Sequence, residues 1–156
     1  MNPSTPPPTL PDPYAEIERV RVAIDLEIPS DVRYIERIVA VVTRQCADLD
    51  YSPRHLHLNV PVALSEALSN AILRGNRERA DRAVRVRSVA DRAELILEVA
   101  DQGEGFDLDA CTNEADDPGF LEREDGRGLF LMRKLMNRVE RFDDHGNVVR
   151  LTLRRA

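Results

Sequence analysis

The chain has no tryptophan, two cysteines and only 4% aromatic residues in 156 positions. Cys46 and Cys111 form neither a CxxC pair nor a disulfide framework, so reduced thiols are expected and a disulfide-stapled scaffold is excluded. No apolar run approaches the ~20 residues needed to cross a bilayer, which excludes a helical membrane protein. The first residues, MNPSTPPPTLPDPY, show neither the basic start nor the apolar stretch of a signal peptide, and a cytoplasmic location is expected. The formal charge of −6 argues against non-specific nucleic-acid binding, whose phosphate contacts need clustered Lys and Arg, so direct nucleic-acid binding is not expected. What remains is an ordinary globular composition, 42% hydrophobic and 32% charged, of a length that supports one real core.

Most of the ten prolines fall in residues 1–15. That segment can form neither helix nor sheet ladder and reads as a flexible tail, leaving 16–156 as a single domain. From Arg19 to Ile28, Val20, Val22, Ile24, Leu26 and Ile28 alternate with mostly polar neighbours, which predicts a half-buried strand ended by Pro29, with Ser30 or Asp31 as a cap. Ile35, Ile38, Val39, Val42, Cys46 and Leu49 recur at helical spacing between Val32 and about Leu49. A second helix is predicted from Asn59, as cap, to Arg74, with Pro61 in its first turn and Gly75–Asn76 as its stop. Strands follow at Ala83–Val89 and Glu94–Ala100, then a long polar loop to Asp125. A third helix begins near Gly126, and a hairpin pairs Val139–Phe142 with Val148–Leu153. This order predicts an α+β two-layer sandwich: a mixed, mainly antiparallel sheet covered on one face by about three helices.

Three short stretches carry chemistry. Glu66, Asn70 and Arg74 recur every four residues and share a stripe beside the apolar face of the second helix. Asn70 offers a hard oxygen donor suited to Mg²⁺, and Glu66 can take a proton from a nucleophile. A plain solvated helix flank accounts for the same spacing. Asp101 closes the row Leu95, Leu97, Val99, Asp101, so its carboxylate falls on an apolar face, where burial is costly without hydrogen bonds. An adenine amino group would satisfy it, with Gly103 and Gly105 letting the backbone approach the ring; a tight turn stabilised by its own Asp is the alternative. Gly126 and Gly128 open the third helix, where free N–H groups attract phosphate. A flexible entry into a core helix reads the same way.

Taken together and in this order, LSEALSNAILRGN, VADQGEGFD and DGRGLFLMRKLMN resemble the N, G1 and G2 boxes of the Bergerat ATP-binding fold. The short length and the run GRGLFLMRKLMN are most similar to anti-sigma-factor serine/threonine kinases of the RsbW and SpoIIAB type, over about Val20 to Leu153. The resemblance implies ATP and Mg²⁺ as ligands, Glu66 as general base and Asn70 as the Mg²⁺ ligand. It also implies Asp101 as the adenine-binding residue, with Gly103 and Gly105 beside it. Gly126, Arg127, Gly128 and Leu129 would form the lid hinge and triphosphate cradle. The loop from about Phe106 to Asp125 would be the ATP lid.

Two features depart from the pattern. Arg74 stands where the family often has His, bringing a fixed charge within reach of a phosphate. The lid is strongly acidic, with Asp107, Asp109, Glu114, Asp116, Asp117, Glu122, Glu124 and Asp125 against Arg123. The partners implied are a STAS-type anti-sigma-factor antagonist and a sigma factor, with homodimers often formed in the family. The rival reading is a nucleotide-gated binding or adaptor protein without phosphotransfer. A histidine-kinase catalytic domain would need a separate His-bearing helix, and His55, His57 and His145 do not supply one.

Overall fold

The computed structural model describes residues 20–103 and 124–156, and of 124–126 the backbone alone. The Pro-rich tail, Gly105, Cys111 and nearly all of the acidic lid lie outside the described residues. Among the described residues five strands form one sheet: β1 (Val22–Pro29), β2 (Ala83–Ala90), β3 (Glu94–Asp101), β4 (Arg138–Asp143) and β5 (Asn147–Arg154), in the order β1-β2-β3-β5-β4. Three helices are α1 (Ile35–Asp48), α2 (Val60–Ser69) and α3 (Glu124–Leu135). All four strand pairings are antiparallel, where a mixed, mainly antiparallel sheet was expected. The helical connection from β3 to β4 does leave those two strands running the same way. The β4–β5 hairpin inserts β5 between them, and so every neighbour is antiparallel.

Alternation decides which face is covered. Val84, Val86 and Ala90 of β2, Leu95, Leu97 and Val99 of β3, and Val149, Leu151 and Leu153 of β5 are buried. They meet Ile38, Val42 and Cys46 of α1, Leu64 and Leu68 of α2, and Leu129 and Met132 of α3 in one core. Burial pushes the Cys46 thiol up to about 12, which leaves it a small hydrophobe rather than a nucleophile. Truncating Leu97, fully buried at mid-sheet, should cost about 2–5 kcal/mol in a urea unfolding experiment on Leu97→Ala.

The start of the second helix differs from expectation. Asn59 has helical backbone angles and makes no cap, because the chain is already wound in a π-helical turn from His55 to Asn59. Its side chain instead donates from Nδ2 to the carbonyl of Leu135 at 2.7 Å, tying the start of α2 to the end of α3. The wider preceding turn leaves room for the ring of Pro61, which still lies in the first turn of α2 proper. A second π-helical turn, Asn70–Gly75, extends α2 at its other end. Asn76 follows, and its N–H bonds back five residues to Ala71 at 2.8 Å. Asp31 caps the short 3₁₀ turn Val32–Tyr34, accepting from the Arg33 N–H at 2.9 Å. Ser30 instead donates to the carbonyl of Arg82 at 2.6 Å.

Candidate nucleotide site

Two clusters form at the ends of the widened turn that follows α2. The first joins α2 to α3. Glu66 and Asn70 are half-buried, one helical turn apart, and both face Gly128. A Cβ on Gly128 would lie 2.6 Å from Glu66 Oε2 and 3.5 Å from Asn70 Nδ2. Glycine at this position is thus a matter of space. The helix begins at Glu124, two residues before the expected start, so Gly126 falls in the first turn, where N–H groups have no intrahelical acceptor. Gly128 sits deeper and serves the close approach of the two helices.

Arg127 is exposed, as is Arg74, which the wider π-helical turn separates from the strict four-residue stripe. Leu129 is 2% exposed and its side chain belongs to the core, so its contribution to a nucleotide is confined to the main chain.

The second cluster surrounds Asp101, the last residue of β3 and 6% exposed, on the face its parity predicted. Its Oδ1 accepts from the Gly103 N–H at 2.8 Å, and its Oδ2 from Asn147 Nδ2 at 3.2 Å. Burial pushes this carboxyl above its ordinary value, against the lowering effects of those hydrogen bonds and of the Arg141 and Arg82 charges. Gly75 presses against it: a Cβ there would sit 2.3 Å from Asp101 Cγ. A Cβ on Gly103 would be 2.3 Å from the Gly75 carbonyl oxygen. The two glycines therefore pack on each other, and Gly75, where the helical winding ends as expected, also leaves the room that Asp101 needs. The left-handed residues after the helix are Arg77 and Glu78, at φ 53 and 56.

Fully buried Asn76 holds the exit from β3. Its Oδ1 accepts from the Gln102 N–H at 2.7 Å, while Nδ2 donates at 3.0 Å to both Ser30 Oγ and the Ala83 carbonyl. Asn76 and Asn147 were missed as site residues from sequence, where they read as a helix stop and a hairpin turn. No local pattern marks either, since what they touch is far along the chain.

The Asp101 carboxylate has about four acceptor positions, and two are filled by the described residues. A buried acceptor with capacity left, walled by two glycines, fits an amino group on a flat ring. Among the described residues no group of three or more His, Cys, Asp or Glu is placed to hold a metal ion. The amide oxygen of Asn70 is a hard donor of the kind that Mg²⁺ accepts beside phosphates and water. Gly75→Ala should force the Asp101 carboxyl aside at a packing cost of about 1–3 kcal/mol. Its circular dichroism should stay native while ATP affinity drops, which titration calorimetry would measure.

A model of the histidine kinase-like ATPase domain matches residues 28–153, most of the chain. The chain belongs to the histidine kinase-like ATPase domain family. Its curated relatives include the serine-protein kinase RsbW of Halalkalibacterium halodurans, 28% identical over 134 residues that cover 83% of this chain and 81% of that protein. The serine-protein kinase RsbW of Bacillus subtilis is 29% identical over 132 residues, 80% of each chain. The anti-sigma F factor of Clostridium beijerinckii is 27% identical over 101 residues, covering 62% of this chain and 68% of that one. Within its family the chain is of the RsbW and SpoIIAB kinase type. No helix among the described residues is long and apolar enough to cross a membrane.

Proposed function

We propose that this chain is an ATP-dependent serine/threonine protein kinase that phosphorylates a STAS-type anti-sigma-factor antagonist and, between turnovers, holds a sigma factor. The observation that carries the catalytic half is the contact of Glu66 with Gly128, which puts a carboxylate beside the first turns of α3. Adenine stacks near Gly75 and Gly103 and donates its amino group to Asp101. The phosphates lie toward the start of α3, where Gly126 presents a free N–H and Arg127 is exposed to them. Asn70 would hold Mg²⁺ through its amide oxygen, and the ion when bound would supply charge neutralisation. The partner's hydroxyl oxygen forms the new bond to the γ-phosphorus as the bond to the β–γ bridging oxygen breaks. ADP leaves, and the hydroxyl proton passes to Glu66. Such a reaction asks mainly for positioning and charge stabilisation.

The names of the relatives support the two partner classes, a protein serine and a sigma factor. The role of a STAS-type acceptor rests on the motif resemblance alone. The test is mass spectrometry of purified STAS-type antagonist proteins after incubation with this chain and Mg·ATP. One phosphate on a serine or threonine is expected. ATP binding and sigma-factor capture with no phosphate on any antagonist would make the protein a nucleotide-gated adaptor.

A further inference from the structure

The far edge of the sheet reaches into the adenine cluster. Asn147 is the residue of β5 that pairs with Asp101 of β3 on one side and Asp143 of β4 on the other. Its amide thus sits between two carboxylates. Asn147 Nδ2 donates to Asp101 Oδ2 at 3.2 Å, and Arg141 Nε donates to Asn147 Oδ1 at 2.5 Å. Arg141 Nη2 donates to Asp143 Oδ1 at 2.7 Å, and the Arg141 side chain is only 19% exposed. The result is a chain of polar contacts, Asp143 to Arg141 to Asn147 to Asp101, running from the edge strand into the pocket.

We propose that Arg141 is a positioning residue for nucleotide binding, acting through Asn147 to aim the Asp101 carboxylate at the base. This rests on the nucleotide-site reading given above. An amide is nearly symmetric in shape, and what fixes its orientation is the company of each end. Arg141 has no acceptor to offer, so it claims the Asn147 oxygen and turns the NH₂ group toward Asp101. Without that claim the amide is free to rotate its oxygen toward the carboxylate, and Asp101 loses a donor. The same guanidinium contributes positive charge to the neighbourhood. Among the described residues, the charged groups facing Asp101 are Arg141 from β4 and Arg82 from the segment before β2, with Asp143 paired to Arg141. Removing Arg141 should make the carboxylate easier to protonate.

The experiment is calorimetric titration of the full chain with Mg·ATP from pH 5 to 8. Wild type is compared with Arg141→Met, Asn147→Leu, their double variant and Asp101→Asn, with ligand-free melts of each. Arg141→Met and Asn147→Leu are each expected to weaken binding about tenfold, the scale of one lost hydrogen bond to a charged group. The double variant should be no weaker than Asn147→Leu alone, because Arg141 acts through that amide. The acid limb of the affinity profile should also move to higher pH in Arg141→Met, which a merely structural effect would not produce. Additive losses, or an unmoved acid limb, would overturn the proposal. Should Arg141→Met melt too low for use, Arg141→Lys keeps the charge without the planar fork. It should bind more weakly with the acid limb in place; wild-type affinity in that variant would also count against the relay. Wild-type affinity in Asp101→Asn would instead sink the site reading itself. Loss in Asp101→Asn with no loss in the other variants would sink only the role of Arg141.

Discussion

Glu66→Gln is expected to remove phosphoryl transfer almost completely while Mg·ATP binds as tightly as before. Gln keeps the length and planar head of Glu, so the close packing against Gly128 survives. What it loses is the capacity to accept a proton as the partner's hydroxyl attacks. General-base contributions run to about 10²–10⁴-fold in rate, and that is the expected drop in single-turnover transfer from ATP. The equilibrium dissociation constant should stay put, because in the proposed arrangement Glu66 faces the nucleophile and not the adenine. Gly128→Ala makes an informative companion. The added methyl would lie 2.6 Å from Glu66 Oε2, and the flexible carboxylate rather than the helix backbone would give way. Transfer should therefore fall while the base itself is still present. If Glu66→Gln transfers phosphate at the wild-type rate, another group takes the proton, and Glu66 reverts to a helix-flanking residue.

The elements that carry this chemistry were readable from the chain because each obeys a short period. Leu95, Leu97, Val99 and Asp101 alternate, and a strand puts alternate residues on one face whatever surrounds it. Glu66 and Asn70 are four apart, and an α-helix makes four-apart residues neighbours. The two π-helical turns flanking α2 were not readable, since an extra residue in one turn leaves the apolar spacing almost unchanged. Asn59 was misread for a related reason. Asn followed by Val60 and Pro61 is what a helix cap looks like, but the winding begins at His55 and the amide goes to Leu135, 76 residues on.

Gly75, Asn76, Asn147 and Arg141 share that difficulty. Each earns its position through contacts across the sheet or between a helix end and a strand end. Local reading made Gly75 and Asn76 a helix stop, Asn147 a turn residue where it in fact opens β5, and Arg141 a strand residue, and it was silent about Asp101. The strand directions were half legible: the crossover from β3 to β4 was visible, and the insertion of β5 between them depended on tertiary pairing.

Asp101→Asn should separate folding from binding in a way that pH makes visible. In wild type, Mg·ATP at 100 times its dissociation constant should add about 2.7 kcal/mol, raising the melting temperature by about 5–10 °C. Asp101→Asn should erase that gain. One of its two head atoms becomes a donor, which then meets the Asn147 NH₂ or the Gly103 N–H instead of accepting from it. It can no longer serve both these donors and an adenine amino group.

The pH dependence has opposite signs for the two states. Burial raises the folded-state value of Asp101, so the unfolded chain releases this proton first. The contribution of Asp101 to ligand-free stability is therefore full below its ordinary value of 3.8 and is lost as pH climbs through the raised folded value. Nucleotide binding needs the ionised acceptor and should strengthen over the same climb. In wild type the ATP-induced shift should grow with pH while the ligand-free melting temperature loses the Asp101 contribution. Both trends should vanish together in Asp101→Asn, when the difference between wild type and variant is followed by melts across pH 4 to 8. Asn70→Ala divides the remaining possibilities. It removes the oxygen proposed to bind Mg²⁺ and leaves Asp101 untouched, so it should shrink the shift with Mg·ATP while keeping the pH trend of the ligand-free protein. A pH-dependent ATP shift that persists in Asp101→Asn would move the adenine site elsewhere. The buried carboxylate at the end of β3 would then have only the turn to hold.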